Sequence, residues 1–222
     1  MKKSFLIFTF LAFFVGLNAQ RTGLYSQRQN QGGYLFLSAG PSYLSGDTFG
    51  DILKKSMLDG NNWATSFGFR YIFPENFGFS VNLGYANYVG ADSNTHHHQD
   101  GFYSYVSNIY ELTFRGEYTI QFGEKFQLRP PNSVYGFVGI GALGSSVSNP
   151  EGVIAAPVVS NEIGAVVPVG VGYRYEFRNK LSLGLEASGT MTFSDAVDGY
   201  KVKGTANDNL VNFSITIGYK IF

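Results

Sequence analysis

The sequence predicts an all-β protein: an eight-stranded antiparallel up-and-down transmembrane β-barrel, preceded by a cleavable signal peptide. Three observations predict it. Apolar and polar residues alternate with period two over runs of ten or more residues, the signature of strands with one apolar and one polar face. The links between runs alternate between short turns and long polar loops, as in a barrel whose two rims differ. The chain carries 21 Phe, 15 Tyr and 28 Gly, yet its mean hydropathy is close to zero. Strict alternation produces that balance, because each apolar residue is followed by a polar one.

The chain opens with processing signals. Lys2 and Lys3 form a basic start, Phe5 to Leu17 an apolar stretch, and Leu17-Asn18-Ala19 a small-residue cleavage site, the pattern of a secretory signal peptide. A signal anchor is the alternative, but thirteen apolar residues fall short of the ~17–25 that span a bilayer as a helix. The expected division is a signal peptide at 1–19, a periplasmic tail at 20–32 and the barrel at 33–222.

Eight runs follow in order. Tyr34–Tyr43 alternates loosely, because glycine occupies both faces. In the second run Trp63, Thr65, Phe67, Phe69, Tyr71 and Phe73 share a face; in the third, Phe77, Phe79, Val81, Leu83 and Tyr85 do. The clearest is Ile109–Phe122, where Tyr110, Leu112, Phe114, Tyr118, Ile120 and Phe122 oppose Glu111, Thr113, Arg115, Glu117, Thr119 and Gln121. Val134–Leu143 is again diluted by glycine. Val167–Phe177, Leu181–Phe193 and Val211–Ile221 complete the set. Soluble strands average roughly 5–6 residues, whereas membrane-spanning ones need about 9–11; these runs are of the second kind.

Pro74-Glu75-Asn76 and Arg178-Asn179-Lys180 are short turns, and Gly123–Ser133 is a moderate one. The other links, about Leu44–Asn62, Val89–Ser107, Ser145–Val166 and Ser194–Asn209, are long and polar. This places the short turns on the periplasmic side. Aromatic residues collect at both ends of the strands: Tyr71, Phe73, Phe77, Tyr118, Phe122, Tyr135, Tyr173, Tyr175, Phe177 and Tyr219 near the short turns; Trp63, Tyr85, Tyr110 and Phe193 at the other. Two girdles are expected where amphipathic rings settle at lipid headgroups. Outer-membrane lipids are thus the expected surroundings and the cell outer membrane the expected location. The competing reading is a soluble eight-stranded barrel with an apolar interior.

If the apolar faces meet lipid, the opposite faces fill the barrel. They bring in Arg70, Arg115, Arg174 and Lys220 against Glu111, Glu117, Glu176 and Glu186. An eight-stranded barrel is just wide enough to be filled by side chains, so these charges are expected to pair as a plug. A proton or ion path is the functional alternative.

No reaction centre is expected, and no cofactor. A Ser-His-acid hydrolase needs an imidazole beside its nucleophile, and the histidines here are His96, His97 and His98 in one polar loop. Flanked by Asp92 and Asp100, they are weak candidates for a divalent cation, without the spacing of a preorganised site. Gly139-Ile140-Gly141 has no helix after it, so it is no phosphate cradle. The absence of cysteine excludes disulfides, thiolate metal sites and an N-terminal lipid-modified Cys. Without Lys2 and Lys3 the basic residues number fourteen against sixteen acidic, and no basic stripe suggests nucleic acid.

Several segments, taken in order, carry a family resemblance. They are Gly40-Pro41-Ser42-Tyr43-Leu44-Ser45-Gly46-Asp47, Ile109-Tyr110-Glu111-Leu112 with Gly116-Glu117-Tyr118, and Pro168-Val169-Gly170-Val171-Gly172-Tyr173-Arg174-Tyr175. Leu183-Gly184-Leu185-Glu186 with Thr192-Phe193-Ser194-Asp195 and Asp198 continues the series. Over most of 33–198 the chain resembles the PorG-like barrels of Bacteroidota, whose namesake belongs to the type IX secretion system. The resemblance implies an eight-stranded barrel with periplasmic and lipoprotein secretion components as partners, and no active site. A general envelope barrel, binding through its loops or stabilising the membrane, is the alternative. Phe222 ends the chain one step out of phase with the apolar face of Ile217, Tyr219 and Ile221.

Overall fold

The computed structural model describes residues 32–45, 62–74, 76–91, 104–122, 131–151, 161–194 and 209–221. The expected signal peptide, the loop histidines His96–His98 and Phe222 lie outside them. Eight strands are present: β1 (Gly32–Ser45), β2 (Trp63–Ile72), β3 (Phe77–Ala91), β4 (Ser104–Phe122), β5 (Asn132–Glu151), β6 (Asn161–Glu176), β7 (Leu181–Thr192) and β8 (Asn209–Lys220). Each pairs antiparallel with the next, and β1 closes on β8 to make a barrel. The seam runs from Tyr34↔Lys220 to Ser45↔Asn209, and Ile221 N donates to Gly33 O at 2.8 Å. Closure removes every sheet edge along the span, so the ladder satisfies the backbone without water.

The short turns follow from local chemistry. Phe73 N donates to Phe77 O at 2.7 Å and Phe177 N to Leu181 O at 2.8 Å, closing three-residue hairpin loops. In each, the last loop residue is left-handed, Asn76 at φ 67° and Lys180 at φ 71°, as that hairpin class requires. Asparagine tolerates this conformation well. Lys180 has no such tolerance and is held there by the ladder, its carbonyl accepting from Lys220 N at 2.8 Å.

At the opposite rim the strands run further than the apolar alternation suggests. The β3–β4 ladder continues to Ala91↔Ser104, and β5–β6 to Ser146↔Asn161. Parts of the expected loops Val89–Ser107 and Ser145–Val166 are therefore strand. The reason is that apolar alternation reports contact with lipid, whereas pairing needs only backbone groups. Once the strands rise past the lipid, residues such as Ser145, Ser146 and Ser148 keep the ladder without the pattern.

The faces divide cleanly. Leu37, Leu83, Phe114, Val138, Val169, Leu185 and Ile215 point outward. Below them Phe73, Phe77, Phe122, Tyr173, Phe177 and Tyr219 ring the short-turn end; above, Trp63, Tyr85, Tyr110 and Phe193 ring the other. Neighbouring rings touch, as in Phe77–Tyr118 at 5.0 Å and Tyr85–Tyr110 at 5.3 Å between centroids. Tyr110 and Phe122 lie twelve residues apart on β4, about 30 Å at a rise of about 3.3 Å and a tilt of about 40°. That matches a hydrocarbon core of about 30 Å. An apolar belt this wide greatly exceeds the few hundred Å² that soluble monomers expose, while Arg70, Glu117, Arg174 and Glu186 are buried inside. This polar-inside, apolar-outside distribution rules out the soluble barrel. The protein is a transmembrane barrel of the outer-membrane type.

Tyr135 is a correction. Expected in the lower girdle, it lies inside the barrel. In β5 the inward set is Ser133, Tyr135 and Phe137, while Val134, Val138 and Ile140 face lipid. Glycines on both faces of this strand hid its phase.

Candidate functional site in the barrel interior

The interior is stacked in three layers. Nearest the short turns, charged and aromatic residues interlock. Arg70 from β2 places Nε 2.6 Å from Glu117 Oε2 on β4, and its Nη2 3.8 Å from Glu186 Oε2 on β7. Arg115 Nη1 donates to Glu186 Oε1 at 3.0 Å. The carboxylates take further donors: Ser80 Oγ gives to Glu117 Oε1 at 2.7 Å, and the Tyr135 hydroxyl to Glu186 Oε2 at 2.9 Å. Buried charges persist only with such partners. The side chains therefore bridge the lumen from five strands.

Rings complete the layer. The Arg70 guanidinium lies 4.8 Å from the Phe36 centroid and 4.5 Å from that of Tyr135. Arg115 lies 4.6 Å from Phe137, and Arg174 lies 5.4 Å from Tyr34 and 5.6 Å from Tyr135. All are within cation–π range. Glycines on the neighbouring strand make room for these rings. A Cβ on Gly68 would sit 2.5 Å from Phe36 Cζ, on Gly170 2.5 Å from Phe137 Cζ, and on Gly172 2.3 Å from Tyr135 Cζ. In each case ring and glycine are direct cross-strand partners.

Above lies a small polar layer. A cavity of about 50 Å³ is bounded by Ser38, Ser66, Asn82, Glu111, Thr113 and Asn212 among others. Glu111 Oε1 is buried and has no hydrogen-bond partner among the described residues. Ser38 and Ser66 share a hydrogen bond of 2.6 Å, and Ser42 joins Tyr88 to Asn212 through its hydroxyl. The third layer, toward the long loops, is apolar: Leu44, Ala86, Tyr88, Ile109, Leu143, Val147, Val166 and Leu210 form one buried cluster. It caps the polar layer below.

Of the eight charges the sequence sent inward, Arg70, Arg115, Glu117 and Glu186 meet in one network. Glu111 stands in the polar layer above it. Glu176 accepts from the Tyr34 hydroxyl at 3.1 Å, and Lys220 Nζ lies 5.5 Å from the Tyr34 ring. Arg174 forms no ion pair among the described residues, and its contacts are the two tyrosine rings. Sequence reasoning missed the inward rings and the apolar cap. The available signal was glycine opposite an aromatic on the next strand, but reading it needs the register. Among the described residues no three His, Cys, Asp or Glu side chains are placed to hold a metal ion.

Comparison with protein-family models gives no match, and neither does comparison with curated protein sequences. Solved structures do resemble the barrel. Neisserial surface protein A is 13% identical, with a TM-score of 0.51 over 85% of this chain and 97% of its own. A major outer membrane protein from Thermus thermophilus is 11% identical, with a TM-score of 0.49 over 85% of this chain and 99% of its own. Ail, the attachment invasion locus protein of Yersinia pestis, is 13% identical, with a TM-score of 0.45 over 86% and 100%. At this identity the first of these likenesses concerns the fold, which is that of an eight-stranded outer-membrane barrel.

Proposed function

We propose that this chain is a non-enzymatic anchoring barrel of the outer membrane, acting as an accessory component of a type IX secretion complex. The observation that carries the anchoring part is the filled interior. A lumen bridged by Arg70, Glu117, Arg115 and Glu186 and capped by an apolar layer leaves the two rims as the surfaces where partners meet the barrel. The secretion part rests on the ordered resemblance of its strand motifs to PorG-like barrels. Periplasmic and lipoprotein secretion components are then the partners, meeting the short-turn rim.

The test is fractionation with unheated and boiled gel mobility, followed by pull-down in mild detergent from native-promoter cells. Heat-modifiable migration in the outer-membrane fraction with co-purifying secretion lipoproteins is the expected result. A solitary barrel sinks the secretion role and leaves the anchor.

The projecting β3–β6 wall favours a second reading. Strands paired up to Ala91↔Ser104 and Ser104↔Glu151 form a stiff platform for the long loops, suited to binding at the cell surface. Under it, exchanging the loops changes the phenotype and substituting the short turns does not.

A further inference from the structure

Arg174 is buried to 4% exposure, and its Nε, Nη1 and Nη2 donate to no described residue. The groups that could have served it are engaged elsewhere. Tyr34 gives its hydroxyl to Glu176, and Tyr135 gives its own to Glu186. Glu117 and Glu186 are taken by Arg70, Arg115, Ser80 and Tyr135. The nearby rings attract the cation through their faces but offer its N–H groups no lone pair. Arg70 and Arg115 have carboxylates within ion-pair distance, whereas Arg174 has none among the described residues.

Beside Arg174 is a cavity of about 10 Å³, which Arg70, Thr216, Ser182, Gly184 and Gly218 also line. That is space for about one water-sized sphere. Thr216 Oγ1 is a second buried polar atom there without a partner. The walls are tight: a Cβ on Gly218 would lie 2.5 Å from Ser182 Oγ.

We propose that this cavity is a binding site for a single halide ion, chloride in nature, held by the Arg174 guanidinium and the Thr216 hydroxyl. Its requirements select that ligand. The site presents donors from the Arg174 guanidinium and the Thr216 hydroxyl, and no carboxylate lines it, so it takes an anion. One monovalent ion pairs directly with the Arg174 guanidinium, whereas a water molecule fills the hydrogen bonds and leaves that guanidinium without a counter-charge in contact. Sulfate, phosphate and carboxylates are too large for the space. The ion locks β6 to β8 at the floor of the barrel.

The experiment uses protein isolated from outer membranes in detergent and exchanged into sodium chloride, bromide or gluconate at equal ionic strength. The thermal midpoint of heat-modifiable mobility is read as halide is titrated, and crystals grown in bromide are examined by anomalous scattering. Expected is a bromide peak within hydrogen-bond distance of Arg174. Above half-saturation, the unfolding equilibrium constant falls by up to tenfold for each tenfold rise in halide. Arg174→Met loses both; Thr216→Val weakens both and serves alone if Arg174→Met does not fold. An ordered water with no anomalous signal overturns the proposal, as does a halide response equal in wild type and variants.

Discussion

The ring of Tyr135 on β5 covers Gly172 on β6 so closely that a Cβ on the glycine would lie 2.3 Å from Cζ and 2.5 Å from the hydroxyl oxygen. The two residues are direct cross-strand partners. The same ring receives the Arg70 and Arg174 guanidiniums, and its hydroxyl holds Glu186. One glycine therefore sets the position of a tyrosine on which much of the interior layer depends.

Gly172→Ala is expected to destabilise the barrel by about 1–3 kcal/mol, the usual cost of overpacking a filled interior. Gly144→Ala is the control on β5, because nothing lies within 4 Å of its added Cβ; its effect should stay within about 0.5 kcal/mol. Urea unfolding in detergent, followed by tryptophan fluorescence from Trp63, measures both. Equal effects would remove the packing argument.

Arg70 and Glu117 are expected to behave as a coupled pair. Either Arg70→Met or Glu117→Gln strands a buried partner, at a cost of about 3–5 kcal/mol. The double variant should cost clearly less than the two singles together, since neither member of the pair is left buried alone. A double-mutant cycle on unfolding free energies decides it. Strict additivity would mean that the 2.6 Å contact carries no coupling.

Depth in the membrane gives a third expectation. Val138 is 59% exposed and pairs with Gly116, midway between Tyr110 and Phe122 on β4. Val138→Arg therefore puts a charge near the bilayer midplane and should cost about 2–4 kcal/mol. Ile163 is 84% exposed but pairs with Gly144 at the level of Tyr110. Ile163→Arg should cost about 0–1 kcal/mol. Folding titrations into lipid vesicles compare the two, and a reversed order would misplace the lipid belt.

Wild-type protein in planar bilayers is expected to show no stable conductance steps, because the charged layer and the apolar cap lie in series across the lumen. Trimming the cap alone, as in Ile109→Ala with Leu143→Ala, should leave the bilayer silent. Removing Arg70 and Arg115 together with those two side chains should produce steps. Steady single-channel current through the wild type would instead support an ion path through the interior.

Much of this architecture was legible in the sequence. All eight strands were marked by their period, since a strand between lipid and a polar lumen must alternate. The runs Ile109–Phe122 and Leu181–Phe193 located β4 and β7 to within a few residues wherever lipid was the neighbour. Alternation also put the charged residues on the face opposite the apolar one. It lost the strand ends above the membrane, where no apolar face is required, and the phase of β5, where glycine lies on both faces. Which charges meet was decided by the tertiary structure. Arg70, Glu117 and Glu186 come from strands β2, β4 and β7, and only barrel closure and register bring them within reach. The same holds for Tyr135 over Gly172 and for Arg174, which has no ion pair among the described residues. A single strand fixes the face on which a side chain stands, but what lies across the lumen depends on seven others.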